Sequence, residues 1–297
     1  MTGQTTTAER SSWGPELRLR GAFGHQRPTP RTRDEVAAQL EDELLIADPA
    51  PGTRLPSERK LAETLAVSRP LLREALRTLA ARGLIQVIPG RGAYVRSASD
   101  GYATQPLQIL YYRRQVTPRD LLEARLMLEP TAVELACQRA TDDEVSALAS
   151  AIENFDGAAG VLEKARWDVA AHTCIARMSH NPVLDATFSS VAPLILAQLI
   201  RSLTDRDVLR LSGPIHHEIV DAIRARDAHA GRNAMVRHLE VAEQTYGADF
   251  DESLDVLARR ELQKLFGSSA ALESILDGIR LPEKLFPSDS LERERRP

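Results

Sequence analysis

Asp168 and His172 stand four residues apart in RWDVAAHTCIA, a strongly helical stretch, so both side chains leave one face of the helix. A carboxylate beside an imidazole at that spacing can hold a divalent cation. More often it is an ordinary ion pair or a pair of solvated neighbours. Two further histidines fall in segments of helical pattern, His216 in PIHHEIVDAIRARD and His238 in NAMVRHLEVA. Ile219 and Leu239 give those segments apolar faces, so both imidazoles can turn toward a bundle core, where facing helices can build metal sites. His217 points elsewhere on its helix, and His25, His180 and His229 lie in loop-like or polar contexts.

A second concentration of chemistry lies in SERKLAETLAVSRPLLREALRTLAARGLI, from Ser57 to Ile85. Arg69, Arg73 and Arg77 recur every fourth residue and therefore share one helical face. The opposite face is apolar, with Leu72, Ala75, Leu76, Leu79 and Ala80 at helical spacing. A surface arginine stripe alone is usually a solvated face; on the second helix of a helix-turn-helix it suits insertion into a major groove.

The elements that position these groups are legible nearby. Val36, Leu40 and Leu44 make one face of a helix from Arg33 to Ala47, and the prolines and glycine of ADPAPGTRLP end it. Ser57 reads as the N-cap of a second helix running to about Leu65, and Ser68 as the N-cap of a third. Pro70 is tolerated in a first turn, and Gly83 stops the third helix. LIQVI and AYV around PGRG then predict a small hairpin. Three helices followed by a hairpin is a winged helix-turn-helix.

Composition fits a soluble, largely helical protein. The 297 residues are 43% hydrophobic and only 4% aromatic, with length enough for two domains. Net charge is -4, yet nine basic residues face three acids between Arg54 and Arg96, whereas residues 34–48 hold six acids and no Lys or Arg. Phosphate attraction acts over roughly 10 Å, so this local surplus outweighs the global average. Cys137 and Cys174 form no CxxC motif and read as reduced thiols. The N-terminus shows no apolar signal region, and the most apolar run, VAPLILAQLI, is too short to span a bilayer, so a cytoplasmic protein without membrane partners is expected.

LPSERKLAETLAVSRPLLREALRTLAARGLIQVIPGRGAYV closely resembles the N-terminal winged helix of the GntR superfamily of bacterial transcription regulators, over about residues 33–96. The resemblance implies DNA contacts from Arg59, Ser68, Arg69, Arg73 and Arg77, with the wing tip at Gly90 and Arg91 approaching the minor groove. Pro70 and Leu71 stand where relatives often carry Thr, so the hydroxyl contact of those relatives is absent here. DLLEARLMLEP, from Asp120, resembles the start of the all-helical effector domain of the FadR subfamily, and the likeness continues to about Tyr246.

That second resemblance implies a metal held by Asp168, His172, His216 and His238. Three imidazoles and one carboxylate suit Zn²⁺, or Ni²⁺ in octahedral geometry. The remaining coordination positions would accept a small organic acid, with Arg125 either a bidentate partner for that effector or paired with Glu129 at i+4. A homodimer on a pseudo-palindromic operator, acting as a repressor, completes the implied picture. The same quartet could activate water. No separate general base, phosphate loop, GxSxG or Cys–His signature accompanies it, so an enzyme is not expected. A metal-free DNA-binding regulator is the other alternative.

The expected organisation is therefore mostly α: a disordered arm over 1–32, a winged helix-turn-helix over 33–97, and a linker with connecting helix over 98–117. A helical effector-binding and dimerisation bundle follows over 118–247. In the extension over 248–297, Leu254, Leu257, Leu265 and Phe266, then Leu272, Ile275, Leu276 and Ile279, suggest two short amphipathic helices before a polar, disordered end.

Overall fold

The computed structural model describes residues 32–96 and 105–267. Most of the expected N-terminal arm with His25, the start of the linker, the second C-terminal helix and the polar end lie outside the described residues. The chain divides into two units, residues 1–103 and 104–297, each with its own core.

The first unit opens with α1 (Arg33–Ala47), started by a capping box in which the Thr32 hydroxyl accepts the Glu35 N–H and the Glu35 carboxylate accepts the Thr32 N–H. α2 (Glu58–Leu65) and α3 (Arg69–Ala81) follow, capped by Ser57 and Ser68 as expected. Val36, Leu40, Leu61, Leu72 and Leu79 from the three helices meet in one buried cluster with Ile85. The wing is an antiparallel pair, β1 (Ile85–Ile88) and β2 (Gly92–Val95), in register Ile85↔Val95 to Ile88↔Gly92. Its tip has Pro89 followed by Gly90 at φ 72°, with the Arg91 N–H on the Ile88 carbonyl at 3.0 Å, the residue choice of a type II turn.

Thr53, Arg54 and Leu55, read from sequence as part of a turn, instead run alongside β2. The Leu55 N–H donates to the Ala93 carbonyl and the Val95 N–H to the Thr53 carbonyl, at 2.8 and 2.9 Å. The wing thus has its outer backbone groups satisfied by the segment that enters α2.

The second unit is all-helical: α4 (Gln105–Arg114), α5 (Pro118–Arg139), α6 (Asp142–Gly157), α7 (Val161–Met178), α8 (Pro182–Ser202), α9 (Arg206–Arg224), α10 (Ala228–Tyr246) and α11 (Leu254–Phe266). α10 packs between α5 and α9, α7 lies against α5, α6 and α8, and α11 covers α8. Pro130, Pro193 and Pro214 sit inside α5, α8 and α9 without ending them. α8 alone among the described helices is long and apolar enough to cross a membrane, but Ile195, Leu196 and Ile200 are core residues here. Leu254, Leu257, Ala258 and Leu262 of α11 are buried in the same core as the helices before them.

One close approach fixes the bundle beside the histidine-bearing helix. A Cβ on Gly231 of α10 would lie 2.7 Å from Val133 Cγ1 and 3.2 Å from Cys137 Sγ on α5. Gly231→Ala should therefore destabilise the bundle by about 1–2 kcal/mol, an overpacking cost of about 1–3 offset by up to ~1 of helix propensity. Urea unfolding tests this; an unchanged midpoint would mean that α5 and α10 separate without cost.

Candidate functional site

Three helices of the bundle bring the predicted quartet together. Asp168 and His172 project from α7, His216 from α9 and His238 from α10, all buried, with one ligand atom from each lying within 4.8 Å of the others. His172 Nε2 is 3.1 Å from His238 Nε2 and 3.4 Å from Asp168 Oδ1, and His216 Nε2 is 3.5 Å from Asp168 Oδ2. Phe155 of α6 packs edge-on against the His216 ring, centroids 5.0 Å apart, and closes that side with carbon.

The donor set fits a cation on its own chemistry. Asp168 Oδ1, both ring nitrogens of His216 and His238 Nδ1 are buried without a hydrogen-bond partner. Leaving such a group unpaired costs about 1–3 kcal/mol, so four in one cluster need a common partner. Burial pushes the His216 imidazole down to about 4 and the His238 imidazole well below its usual range. Both rings are therefore neutral near pH 7, the form that donates a lone pair to a metal.

Glu129 of α5 is the residue that sequence reasoning placed only as a partner for Arg125. It also meets His172, whose Nδ1 lies 2.5 Å from Glu129 Oε2. Burial alone would raise the Glu129 carboxyl, but the adjacent Arg125 and His172 hold it down at about 2. An ionised Glu129 can only accept, so His172 carries its proton on Nδ1 and presents the Nε2 lone pair to the cluster. Arg125 itself is buried. Of its two expected partners, the structure shows the ion pair with Glu129, and Arg125 Nη1 also donates to Gln198 Oε1 of α8 at 3.0 Å. The remaining histidines have local partners: His217 with Asp156 at 2.8 Å, His180 with Glu144 at 3.1 Å, and His229 with Asn233 at 3.0 Å.

In the first unit Arg59, Arg69, Arg73 and Arg77 are all exposed. Arg73 Nε donates to Glu58 Oε2 at 2.8 Å, linking α3 to the start of α2, while Arg59 pairs with Glu63 at 3.0 Å and Arg77 with Glu74 at 2.7 Å. Solvated pairs of this kind contribute at most ~1 kcal/mol, so the guanidinium groups exchange partners easily. Arg69 has no ion pair with any described residue, and the Ser68 hydroxyl oxygen is engaged at the N-cap of α3 by the Leu71 N–H. Gly90 and Arg91 are exposed at the wing tip.

Comparison with known proteins decides what this pairing of units is. The chain matches "Bacterial regulatory proteins, gntR family" over residues 32–95 and "FCD domain" over residues 120–241. It is 32% identical over 237 residues to the Uxu operon transcriptional regulator of Escherichia coli (strain K12), an alignment covering 76% of this chain and 89% of that one. The chain belongs to the GntR family. It is a DNA-binding transcription regulator of the FadR type with an FCD effector domain, not an enzyme. Among other GntR-family relatives, the HTH-type transcriptional repressor NanR of Enterobacter sp. (strain 638) is 30% identical over 241 residues, covering 75% of this chain and 89% of that protein. The solved Streptococcus agalactiae GntR superposes with a TM-score of 0.57 at 30% identity, covering 72% of this chain and 99% of that one.

Within the GntR winged helix, sequence reasoning missed Arg54. It is exposed, bridges to Tyr94, and lies so close to the wing that a Cβ on Gly92 would sit 3.3 Å from its Nε. The signal was the buried–exposed–buried alternation of Thr53, Arg54 and Leu55, hidden between prolines.

Proposed function

We propose that this GntR-family regulator is a homodimeric, cytoplasmic repressor whose operator binding is set by a small carboxylate bound beside a divalent metal, Zn²⁺ or Ni²⁺, in the FCD domain. The observation that carries the reading is the buried quartet of Asp168, His172, His216 and His238, whose unpartnered atoms converge. The bound cation would supply open coordination positions for a carboxylate. The chain's own residues do the rest. Glu129 fixes the His172 tautomer, and Arg125 adds positive charge to the wall of the adjoining cavity.

On the DNA side, residues 33–97 read a pseudo-palindromic site as a symmetric pair. Arg69 and Arg73 supply base discrimination, while Arg59, Ser68, Arg77, Gly90 and Arg91 hold the phosphates and the minor-groove edge. Six or more phosphate contacts across a dimer would make binding fall steeply with salt. An effector shifts the balance between free and operator-bound protein only by its difference in affinity for the two. Repression is supported by the name of the NanR relative, and an operator overlapping the promoter would produce it.

The test is a thermal-shift screen of the purified protein against short organic acids, with and without a chelator. An acid at a hundred times its Kd should stabilise the protein by about 2.7 kcal/mol, and that gain should vanish when the metal is removed. A protein indifferent to chelator and to every acid would be a metal-free regulator, and the effector half of the proposal would fall.

A further inference from the structure

A cavity of about 30 Å³ adjoins the quartet, lined by Arg125, Asp168, Gln198, Ser202, Ser212 and His238 among others. It has room for two or three water-sized groups, so an occupant that moves no side chain is short. Gln198 is 1% exposed on this wall. Its Oε1 accepts from Arg125 Nη1 at 3.0 Å, and because a guanidinium can only donate, the amide is oriented unambiguously. The nitrogen of that amide is left buried with no hydrogen-bond partner. The other polar groups nearby do not supply one: the Ser202 hydroxyl is bonded to Tyr246 Oη at 2.9 Å, and the Tyr246 hydroxyl reaches the Gln198 backbone carbonyl at 2.8 Å. The cavity wall thus presents an oriented donor that lacks an acceptor, a short distance from a cluster suited to bind a carboxylate.

We infer that Gln198 selects the effector, donating its amide hydrogen bond to an oxygen carried one carbon from the carboxylate, so that short 2-hydroxy and 2-oxo acids bind in preference to the plain acids of equal length. The inference rests on the effector-site reading above. Cavity size sets the short chain, and the unpaired amide sets the second oxygen. An acid without that oxygen leaves the donor unsatisfied and loses affinity by about tenfold or more. Gln198 touches the effector and not the metal ligands, so metal affinity is independent of it.

The experiment measures Kd for glycolate and acetate on the Zn²⁺-loaded full chain by titration calorimetry, and Kd for Zn²⁺ alone by competition with a chromophoric chelator. Two variants are compared with the parent: Gln198→Met, nearly equal in volume, and Gln198→Glu, which keeps the acceptor for Arg125 but removes the amide donor. The parent should prefer glycolate by about tenfold or more. Gln198→Met should bind the two acids within about twofold of each other and hold Zn²⁺ as the parent does, and Gln198→Glu should likewise lose the preference. A preference retained in Gln198→Met overturns the inference while leaving the effector-site reading intact. Weakened Zn²⁺ binding in both variants overturns it too, since Gln198 would then act through the structure of the site. A Zn²⁺-loaded parent that binds neither acid overturns the inference and the effector-site reading together.

Discussion

Arg73→Ala is expected to abolish specific operator binding while the winged helix stays folded. Arg73 lies on the solvent face of α3, four residues after Arg69, with its guanidinium held by Glu58 at 2.8 Å. Its side chain is 61% exposed, so losing the ion pair costs the fold at most ~1 kcal/mol. The buried face of α3, with Leu72, Leu76 and Leu79, is untouched. On DNA the balance reverses. A bidentate arginine–base contact contributes about 1–3 kcal/mol of discrimination, and a symmetric dimer loses it twice, a loss of roughly 30-fold to 10⁴-fold. Fluorescence anisotropy on a site selected from random DNA by the parent, read beside a circular-dichroism melt, separates the two effects. Parent-like affinity in the variant would remove α3 from the role of recognition helix.

His216→Ala should strip the bundle of its metal and of any response to organic acid, with at least weak DNA binding retained. The ring supplies a ligand from α9 that no neighbouring side chain can replace: His217 faces Asp156, 2.8 Å away, on the other side of the helix. Glu129→Gln is the graded counterpart. It leaves all four ligands in place but weakens the hold on the His172 tautomer, and outer-shell changes of this kind reduce metal affinity by about 10–100-fold. Elemental analysis of the purified variants, followed by Zn²⁺ competition, reads both. Full effector response from metal-free His216→Ala would dismiss the metal as a regulatory element.

Local signals carried much of this fold. Ser57, Ser68 and the spacing of Leu72, Leu76 and Leu79 are enough to delimit α2 and α3, because caps and helical periodicity act within a few residues. The i,i+4 relation of Asp168 and His172 is equally local. What the sequence does not display is contact across distance. Glu129 and His172 are 43 positions apart, and nothing in EARLMLE marks which of its two acids will reach a histidine on another helix. Pro130, Pro193 and Pro214 would each suggest a break, yet packing on both sides carries α5, α8 and α9 through them. The pairing of Thr53–Leu55 with β2 was obscured for the opposite reason, since flanking prolines gave a short extended segment the look of a turn.

The family match in the second unit stops at residue 241, but its core does not. Leu254, Leu257 and Leu262 are buried in it, while Arg119 grips Asp251 and both Arg201 and Arg260 grip Asp249. Mutational tolerance will therefore not follow the recognised boundary. A polar replacement at Leu257, outside the matched segment, should be purged as readily as one at Leu196 well inside it. A lineage could shed these last helical turns only by recolouring the face of α8 that they shelter, several apolar residues at once. Such a step is far from any single substitution, which makes this C-terminal helix hard to lose once acquired.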